Sequence, residues 1–165
     1  MNDNAKSNNY VLFIAQGGII AAIYVALTLV FAPISFGSMQ VRIAEALTIL
    51  PLFTPAAIPG LFIGCVIANI IGGGVVIDVV FGSIATLIGA VLGYKLRNNH
   101  WLVPIPAILS NTIIIPFVLK YGYDVNVPLF LQAVYIFVGE VIGCYVLGEI
   151  LAAALMPHKN VIFKN

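Results

Sequence analysis

The chain consists of long apolar runs separated by short segments rich in polar residues, glycine or proline, and this pattern predicts an all-α membrane protein. A helix needs about 20 apolar residues to cross the hydrocarbon of a bilayer. Proline and glycine mark the helix ends, because proline cannot continue the hydrogen-bond ladder of a helix. The runs predict six transmembrane helices, at residues 10–31, 41–53, 56–71, 77–96, 101–119 and 128–155.

The second and third predicted helices are shorter than a full crossing. Pro51 and Pro55 end the second, and the glycine triplet 72–74 ends the third. Irregular backbone at membrane depth either lines a cavity or is covered by protein. The short helices therefore either border a binding site or pack obliquely inside the bundle.

Composition agrees with a membrane protein. The 165 residues are 62% hydrophobic and 8% charged, with a mean hydropathy of +1.12, whereas soluble domains are about 25% charged. The apolar run that starts at Tyr10 is too long for a signal-peptide core, so we expect it to be an uncleaved first span. We expect one transmembrane domain at residues 10–156, between polar tails at 1–9 and 157–165. So few charges exclude nucleic acid as a partner, because binding phosphates requires a basic surface.

Basic residues are distributed unevenly about the predicted helices. If the helices alternate in direction, one side of the membrane carries Lys6, Lys95, Arg97, Lys159 and Lys164, and the other carries Arg42 and Lys120. Cytoplasmic loops carry the excess of lysine and arginine. We therefore expect a multi-pass protein of the cell membrane with both termini in the cytoplasm, and with the loops near residues 37, 73 and 124 outside.

The sequence contains no recognisable catalytic or cofactor motif. There is no H-E-x-x-H, G-x-S-x-G or phosphate-binding P-loop, so we expect neither an enzyme nor a chain that hydrolyses ATP itself. Cys65 and Cys144 lie in apolar runs and are interpreted as packing residues, not as a disulfide or a metal site. His100 and His158 lie near the predicted cytoplasmic surface, and we expect them to be far from the acidic candidates.

A ladder of small residues occupies one face of the first predicted helix. Gly18, Ala22 and Ala26 recur every four residues, and Gly17 and Ala21 widen the same surface. Small residues allow helices to approach closely in lipid, where packing drives association. The ladder predicts a contact either with another helix of this chain or with another subunit.

Several polar residues interrupt the apolar runs and are candidates for substrate binding. A charge at the bilayer centre costs about 2.5–3.5 kcal/mol on insertion scales, so such a residue is a functional candidate. The candidates are Gln40, Arg42, Glu45, Asn69, Asp78, Asn111, Gln132, Tyr135 and Glu140, with Glu149 a weaker acidic candidate nearer the cytoplasmic end.

Several candidates also have a structural alternative. Arg42 and Glu45 are three residues apart and can pair on one helix. Asp78 lies at the start of the fourth predicted helix, where the helix dipole favours a negative charge. Tyr135 can anchor the helix at the membrane interface. Glu140 is the strongest candidate, because no basic residue lies within two turns of it, so it must either be protonated or receive hydrogen bonds from elsewhere.

Residues 31–70 resemble the QueT family, through QVRIAEAL at 40–47 and TPAAIPGLFIG at 54–64. The resemblance implies a substrate-binding membrane subunit (S-component) of an energy-coupling factor transporter, a type of ABC importer, with a six-helix S-component bundle. It implies partnership with a transmembrane coupling subunit (T-component) through an A-x-x-x-A face, matched here by Ala22 and Ala26, and with two ATPase subunits. The implied substrates are deazaguanine bases that precede queuosine.

Such a base suits the candidate side chains. Its guanine-like edge presents adjacent N–H donors to a carboxylate, its carbonyl needs a donor, and an aminomethyl substituent would need a second carboxylate. The alternatives are an S-component for another metabolite or vitamin, a solitary proton-coupled carrier that uses Glu140, and an assembly subunit without a ligand.

Overall fold

The computed structural model describes residues 3–35 and 42–163, with side chains from Asn9 onward except that of Ile34. All regular structure in these ranges is helical. The principal helices are α1 (Asp3–Val30), α2 (Ile43–Leu52), α3 (Ala57–Ile71), α4 (Val76–Lys95), α5 (Ile105–Gly122) and α6 (residues 129–155). Shorter turns of helix occur at Ala32–Ser35, His100–Leu102, Met156–His158 and Lys159–Ile162. The prediction of an all-α protein with six main helices is confirmed.

Four of the helical segments are long and apolar enough to cross a membrane: Asn9–Val30, Val76–Lys95, His100–Gly122 and Leu129–Ile162. The two short apolar helices are α2 and α3. Fifteen residues of α3 rise only about 22 Å at 1.5 Å per residue, less than the hydrocarbon thickness of about 30 Å. The prediction that the second and third helices are shorter than a full crossing is therefore confirmed.

Helix α2 lies at the centre of the bundle. Its ten residues form a 3-10 helix, and the eight residues from Ala44 to Pro51 are buried. It packs against α1, α3, α4 and α6, while α1–α3, α3–α4, α4–α5 and α5–α6 are the other main neighbours. A helix that is apolar all round is stable only inside a protein or in lipid. The short second helix is therefore enclosed by the others, and the polar residues at its start are carried into the interior.

Small residues set the distances between the surrounding helices. A Cβ on Gly60 would lie 2.8 Å from the carbonyl oxygen of Gly17, and one on Gly64 would lie 3.1 Å from Ala21 Cα. A Cβ on Gly89 would lie 2.7 Å from Ala107 Cα. Close backbone approach through small residues provides helix–helix packing where the hydrophobic effect contributes little.

The turn between α3 and α4 requires glycine. Gly73 has φ +79°, a conformation that side chains disfavour. A Cβ on Gly74 would lie 2.9 Å from the carbonyl oxygen of Asn69. The glycine triplet thus brings the start of α4 back beside the end of α3.

Helix α6 changes its winding in the middle. Leu129–Glu140 and Gly148–Leu155 are α-helical, and Val141–Leu147 between them is a π-helix. A Cβ on Gly143 would lie 2.9 Å from the carbonyl oxygen of Arg42, so α6 approaches the start of α2 closely here. Wide turns of this kind are frequent at functional sites, and this one begins immediately after Glu140.

Candidate functional site

Four charged side chains are fully buried in the part of the chain that the structure describes. Arg42 and Glu45 come from the start of α2, Asp78 from the first turn of α4, and Glu140 from α6, and none is more than 5% exposed. Burial of a charge is unfavourable unless it is paired or hydrogen-bonded. We call these four residues, with the polar groups that contact them, the buried polar cluster.

The inner part of the cluster is a group of hydrogen-bonding side chains from four helices. The Tyr24 hydroxyl of α1 donates to Glu45 Oε1 at 2.5 Å. The Cys144 thiol of α6 donates to Glu140 Oε2 at 3.0 Å and lies 3.9 Å from Glu45 Oε2. The Asn111 side chain of α5 also interacts with Glu140. The two carboxylates are therefore held side by side by neutral donors.

The outer part of the cluster is centred on Asp78. Its Oδ2 lies 3.7 Å from an Arg42 guanidinium nitrogen and accepts a hydrogen bond from the Tyr123 hydroxyl at 2.8 Å. The same hydroxyl accepts from the Val75 N–H at 3.3 Å. Partial burial, together with the negative charge of Asp78, raises the pKa of Tyr123 to about 12. Tyr123 thus remains a neutral donor that fixes the end of α5 to the start of α4.

Asn69 and Gly82 shape the surroundings of Asp78. The Asn69 side-chain amide donates to the Asp78 carbonyl oxygen at 3.5 Å. A Cβ on Gly82 would lie 2.7 Å from Asp78 Oδ1, so the carboxylate occupies the space that a side chain at position 82 would need. Asp78 Oδ1 is buried and has no hydrogen-bond partner among the described residues.

The structure brings together six of the sequence-predicted candidates: Arg42, Glu45, Asn69, Asp78, Asn111 and Glu140. Arg42 interacts electrostatically with Glu45. It forms an ion pair with Asp78, which the spacing does not indicate.

Two candidates stand apart from this group, and a third cannot be placed. Gln132 donates to the carbonyl oxygens of Val125 and Val127, and so holds the loop before α6. Tyr135 is 38% exposed, on the outside of α6. Gln40 lies outside the described residues. The roles of all three residues in binding remain predictions.

Sequence reasoning missed Tyr24, Tyr123 and Cys144. Tyr24 is buried, with 1% exposure, although its helix carries the small-residue ladder, and its spacing from Ala21 and Thr28 places all three on one inner face. The apolar run around Cys144 predicts a packing residue, but its position four residues after Glu140 puts both on the same face of α6. Tyr123 gives no local signal, because its partners are distant in sequence.

Glu45, Glu140 and Cys144 together offer a place for a cation. One ligand atom from each lies within 4.8 Å of the others, and all three side chains are buried. Two carboxylates can accept hydrogen bonds from an ammonium group or coordinate a metal ion, and a thiolate can serve as a further metal ligand. The geometry is thus chemically suited to binding positive charge.

The small-residue ladder of α1 faces away from the bundle. Gly18, Ala22 and Ala26 are exposed, and a Cβ on Gly18 would have no neighbour within 4 Å. The adjacent pair Gly17 and Ala21 is buried against α3. The small residues that the sequence places on one surface therefore lie on two different faces of α1. One face packs within the chain, and the other is exposed among the described residues.

An apolar groove of about 380 Å³ borders the exposed ladder. Its walls are formed by α1 and the end of α6, and its floor by α2. The residues that line it include Ile23, Leu47 and Leu155. A second groove, of about 430 Å³, lies between α4 and α5. Both are lined by apolar side chains.

The expectation that His100 lies far from the acidic candidates is wrong for one of them, Glu149. The Nδ1 atom of His100 is 2.9 Å from Glu149 Oε2, and this pair joins the turn before α5 to α6. The expectation counted only distance along the chain, whereas α6 passes close to the turn. Glu149 therefore forms a structural contact with His100, away from the buried polar cluster.

Comparison with known proteins gives two matches. A family model described as QueT transporter matches residues 14–157. The queuosine precursor transporter QueT of Lactococcus lactis subsp. cremoris (strain MG1363) is 36% identical over 83 residues, which are 49% of this chain and 48% of that protein. The match thus spans about half the length of the curated relative. No solved structure matches the chain.

Proposed function

Because the chain belongs to the QueT transporter family, we propose that it is the substrate-binding subunit of an energy-coupling factor importer for a queuosine precursor. It is a multi-pass membrane transport protein and not an enzyme. The observation that carries the proposal is the buried polar cluster, in which Arg42, Glu45, Asp78 and Glu140 meet among apolar helices. Such a concentration of buried charge is unfavourable without a function.

The chemistry of the cluster fits a deazaguanine base. The adjacent N–H donors of a guanine-like edge require a carboxylate, and Asp78 Oδ1 is a buried acceptor without a partner among the described residues. The base carbonyl requires a donor, which Arg42 or Asn69 can supply. Tyr123 and Asn69 surround the same carboxylate and would limit the orientation of a flat ligand.

We propose that the substrate enters from outside the cell, with both termini in the cytoplasm. The distribution of basic residues supports this orientation. It puts the glycine turn at residues 72–74 and the loop that begins at Tyr123 on the external side. Asp78 lies just inside that turn, so the outer part of the cluster is the part that an entering solute meets first.

The exposed ladder Gly18, Ala22 and Ala26 is the proposed docking face for a T-component, and two ATPases would supply the energy. Its smooth surface, and the apolar groove beside it, suit a helix of another membrane subunit. Ala22→Leu should lower co-purification with the T-component by at least about tenfold. Ala153→Leu, at an exposed alanine of α6, is the matched control and should have no effect. Unchanged co-purification of the Ala22 variant would place the interface elsewhere.

Reconstituted vesicles test the whole proposal. With the T-component and both ATPases present, and ATP on the ATPase side, labelled deazaguanine precursor should accumulate in the vesicles. Omitting ATP or the partners should abolish accumulation. Uptake by this chain alone, abolished when the proton gradient is collapsed, would instead identify a solitary proton-coupled carrier.

A further inference from the structure

The groove between α4 and α5 is a feature that the proposed function does not use. Its volume is about 430 Å³, and it is lined by Ile77 and Phe81 of α4 and by residues of α5 that include Ile113, Phe117 and Tyr121. Phe81, Ile113 and Phe117 are each at least 49% exposed. Both helices belong to segments that are long and apolar enough to cross a membrane. An exposed apolar groove of this kind marks a site for lipid or for another protein.

The order of small and large residues along the two helices accounts for the groove. In one half of the pair, a Cβ on Gly89 would lie 2.7 Å from Ala107 Cα, so the two backbones approach closely. In the other half, large apolar side chains occupy the facing positions. At the far end, the Tyr123 hydroxyl donates to Asp78 and joins the end of α5 to the start of α4. The groove is therefore bounded at both ends by contacts between the helices.

A basic residue lies at one end of the groove. Lys120 is exposed in the last turn of α5, and its Nζ lies 5.8 Å from the centre of the Tyr121 ring, which lines the groove. Lys120 forms no ion pair with any residue that the structure describes. Because α5 spans the membrane, its last turn lies near the membrane surface, where the phosphates of lipids are found. The ammonium of Lys120 is thus complementary in charge to a lipid headgroup.

The length of the groove also suits a lipid. Tyr121 and Ile113 are eight positions apart on α5, a distance of about 12 Å at 1.5 Å per residue. One leaflet contributes about half of the 30 Å hydrocarbon thickness, or about 15 Å. A chain of methylene groups that enters beside Tyr121 can therefore follow the groove through most of one leaflet.

We propose that this groove binds one anionic phospholipid, with an acyl chain along Phe117 and Ile113 and the phosphate at Lys120. The inference goes beyond the proposed function, because it assigns a lipid site apart from the substrate and from the docking ladder. Helix α1, which carries the ladder, packs mainly against α2 and α3. A zwitterionic lipid offers the same acyl chains but no net charge, so Lys120 creates a preference for the anionic headgroup.

Native mass spectrometry of the detergent-purified protein tests this preference. Titration with phosphatidylglycerol and phosphatidylcholine of identical acyl chains should show at least about threefold tighter binding of phosphatidylglycerol. Lys120→Gln should lose the preference. Lys159→Gln, at an exposed lysine beyond the end of α6, is the matched control and should keep it. Equal affinity of the wild type for both lipids, or an unchanged preference in Lys120→Gln, would overturn the inference.

Tryptophan fluorescence locates the bound lipid. Trp101 is the single tryptophan of the chain, so Trp101→Phe gives a background in which Phe117→Trp reports on the groove. Phe137→Trp, at an exposed phenylalanine of α6, is the matched reporter in the same background. In vesicles that mix the two lipids, brominated phosphatidylglycerol should quench more strongly than brominated phosphatidylcholine at position 117 and equally at position 137. The same preference at both positions, or none at position 117, would overturn the assigned site.

A helix of the T-component is the competing occupant of the groove. Ile113→Trp adds bulk to the groove, so it should weaken phosphatidylglycerol binding by at least about threefold and leave co-purification with the T-component unchanged. Lower co-purification of this variant, with lipid binding unchanged, would assign the groove to a protein partner and overturn the inference.

Discussion

The hydroxyl of Tyr24 on α1 lies 2.5 Å from Glu45 Oε1 on the central helix α2. Tyr24 is 1% exposed, and it belongs to the same helix whose opposite surface carries Gly18, Ala22 and Ala26. One helix therefore contributes a hydrogen-bond donor to the buried polar cluster on its inner face and the proposed docking ladder on its outer face. A change in the position of α1 would alter both at once.

Tyr24→Phe should destabilise the protein, because it removes one donor and leaves a buried carboxylate oxygen unsatisfied. The expected loss is about 1–3 kcal/mol, measured as a lower melting temperature in detergent, together with weaker binding of the deazaguanine ligand. Tyr121→Phe, at a tyrosine that is 65% exposed, is the matched control and should melt as the wild type does. Equal melting temperatures for both variants would show that the contact with Glu45 contributes nothing.

Gly64→Ala should separate α1 from α3. The added methyl would lie 2.9 Å from Tyr24 Cβ and 3.1 Å from Ala21 Cα, closer than these atoms can pack. Overpacking of this kind typically costs about 1–3 kcal/mol. Gly18→Ala adds the same methyl where nothing lies within 4 Å, so it should not lower the melting temperature. Similar losses in the two variants would contradict the assigned packing faces of α1.

Tyr123→Phe should alter the dependence of stability on alkaline pH. Burial and the charge of Asp78 raise the pKa of Tyr123 to about 12 in the folded protein, against about 10 for a free tyrosine. Because the folded pKa is the higher one, the stabilisation is complete below about pH 10 and is lost as the pH rises towards 12. Melting temperatures measured across this window should fall more steeply for the wild type than for the variant. Parallel curves would contradict the contact.

The six main helices could be predicted because hydrophobic runs and helix-ending residues are local features of a sequence. Pro51, Pro55 and residues 72–74 mark the ends of the two short helices, and the structure places the ends there within a few residues. The 3-10 form of α2 and the π-helix at Val141–Leu147 could not be predicted, because helix packing decides them.

The candidate site was only partly predictable for a related reason. A charged residue in an apolar run is visible in the sequence, so Glu45, Asp78 and Glu140 could be identified from it. Their hydrogen-bond partners could not. Tyr24 and Glu45 are 21 residues apart, and Tyr123 and Asp78 are 45 apart, so only the fold brings them together.

The melting temperature of the detergent-purified protein with deazaguanine bases, guanine and a panel of vitamins tests the central claim most directly. A ligand present at about 100 times its Kd adds roughly 2.7 kcal/mol to the stability of the folded state, which raises the melting temperature of a chain of this size by several degrees. We predict a shift with deazaguanines and none with the vitamins. A shift with a vitamin alone, or with none of these compounds, would contradict the proposal that the buried polar cluster binds a queuosine precursor.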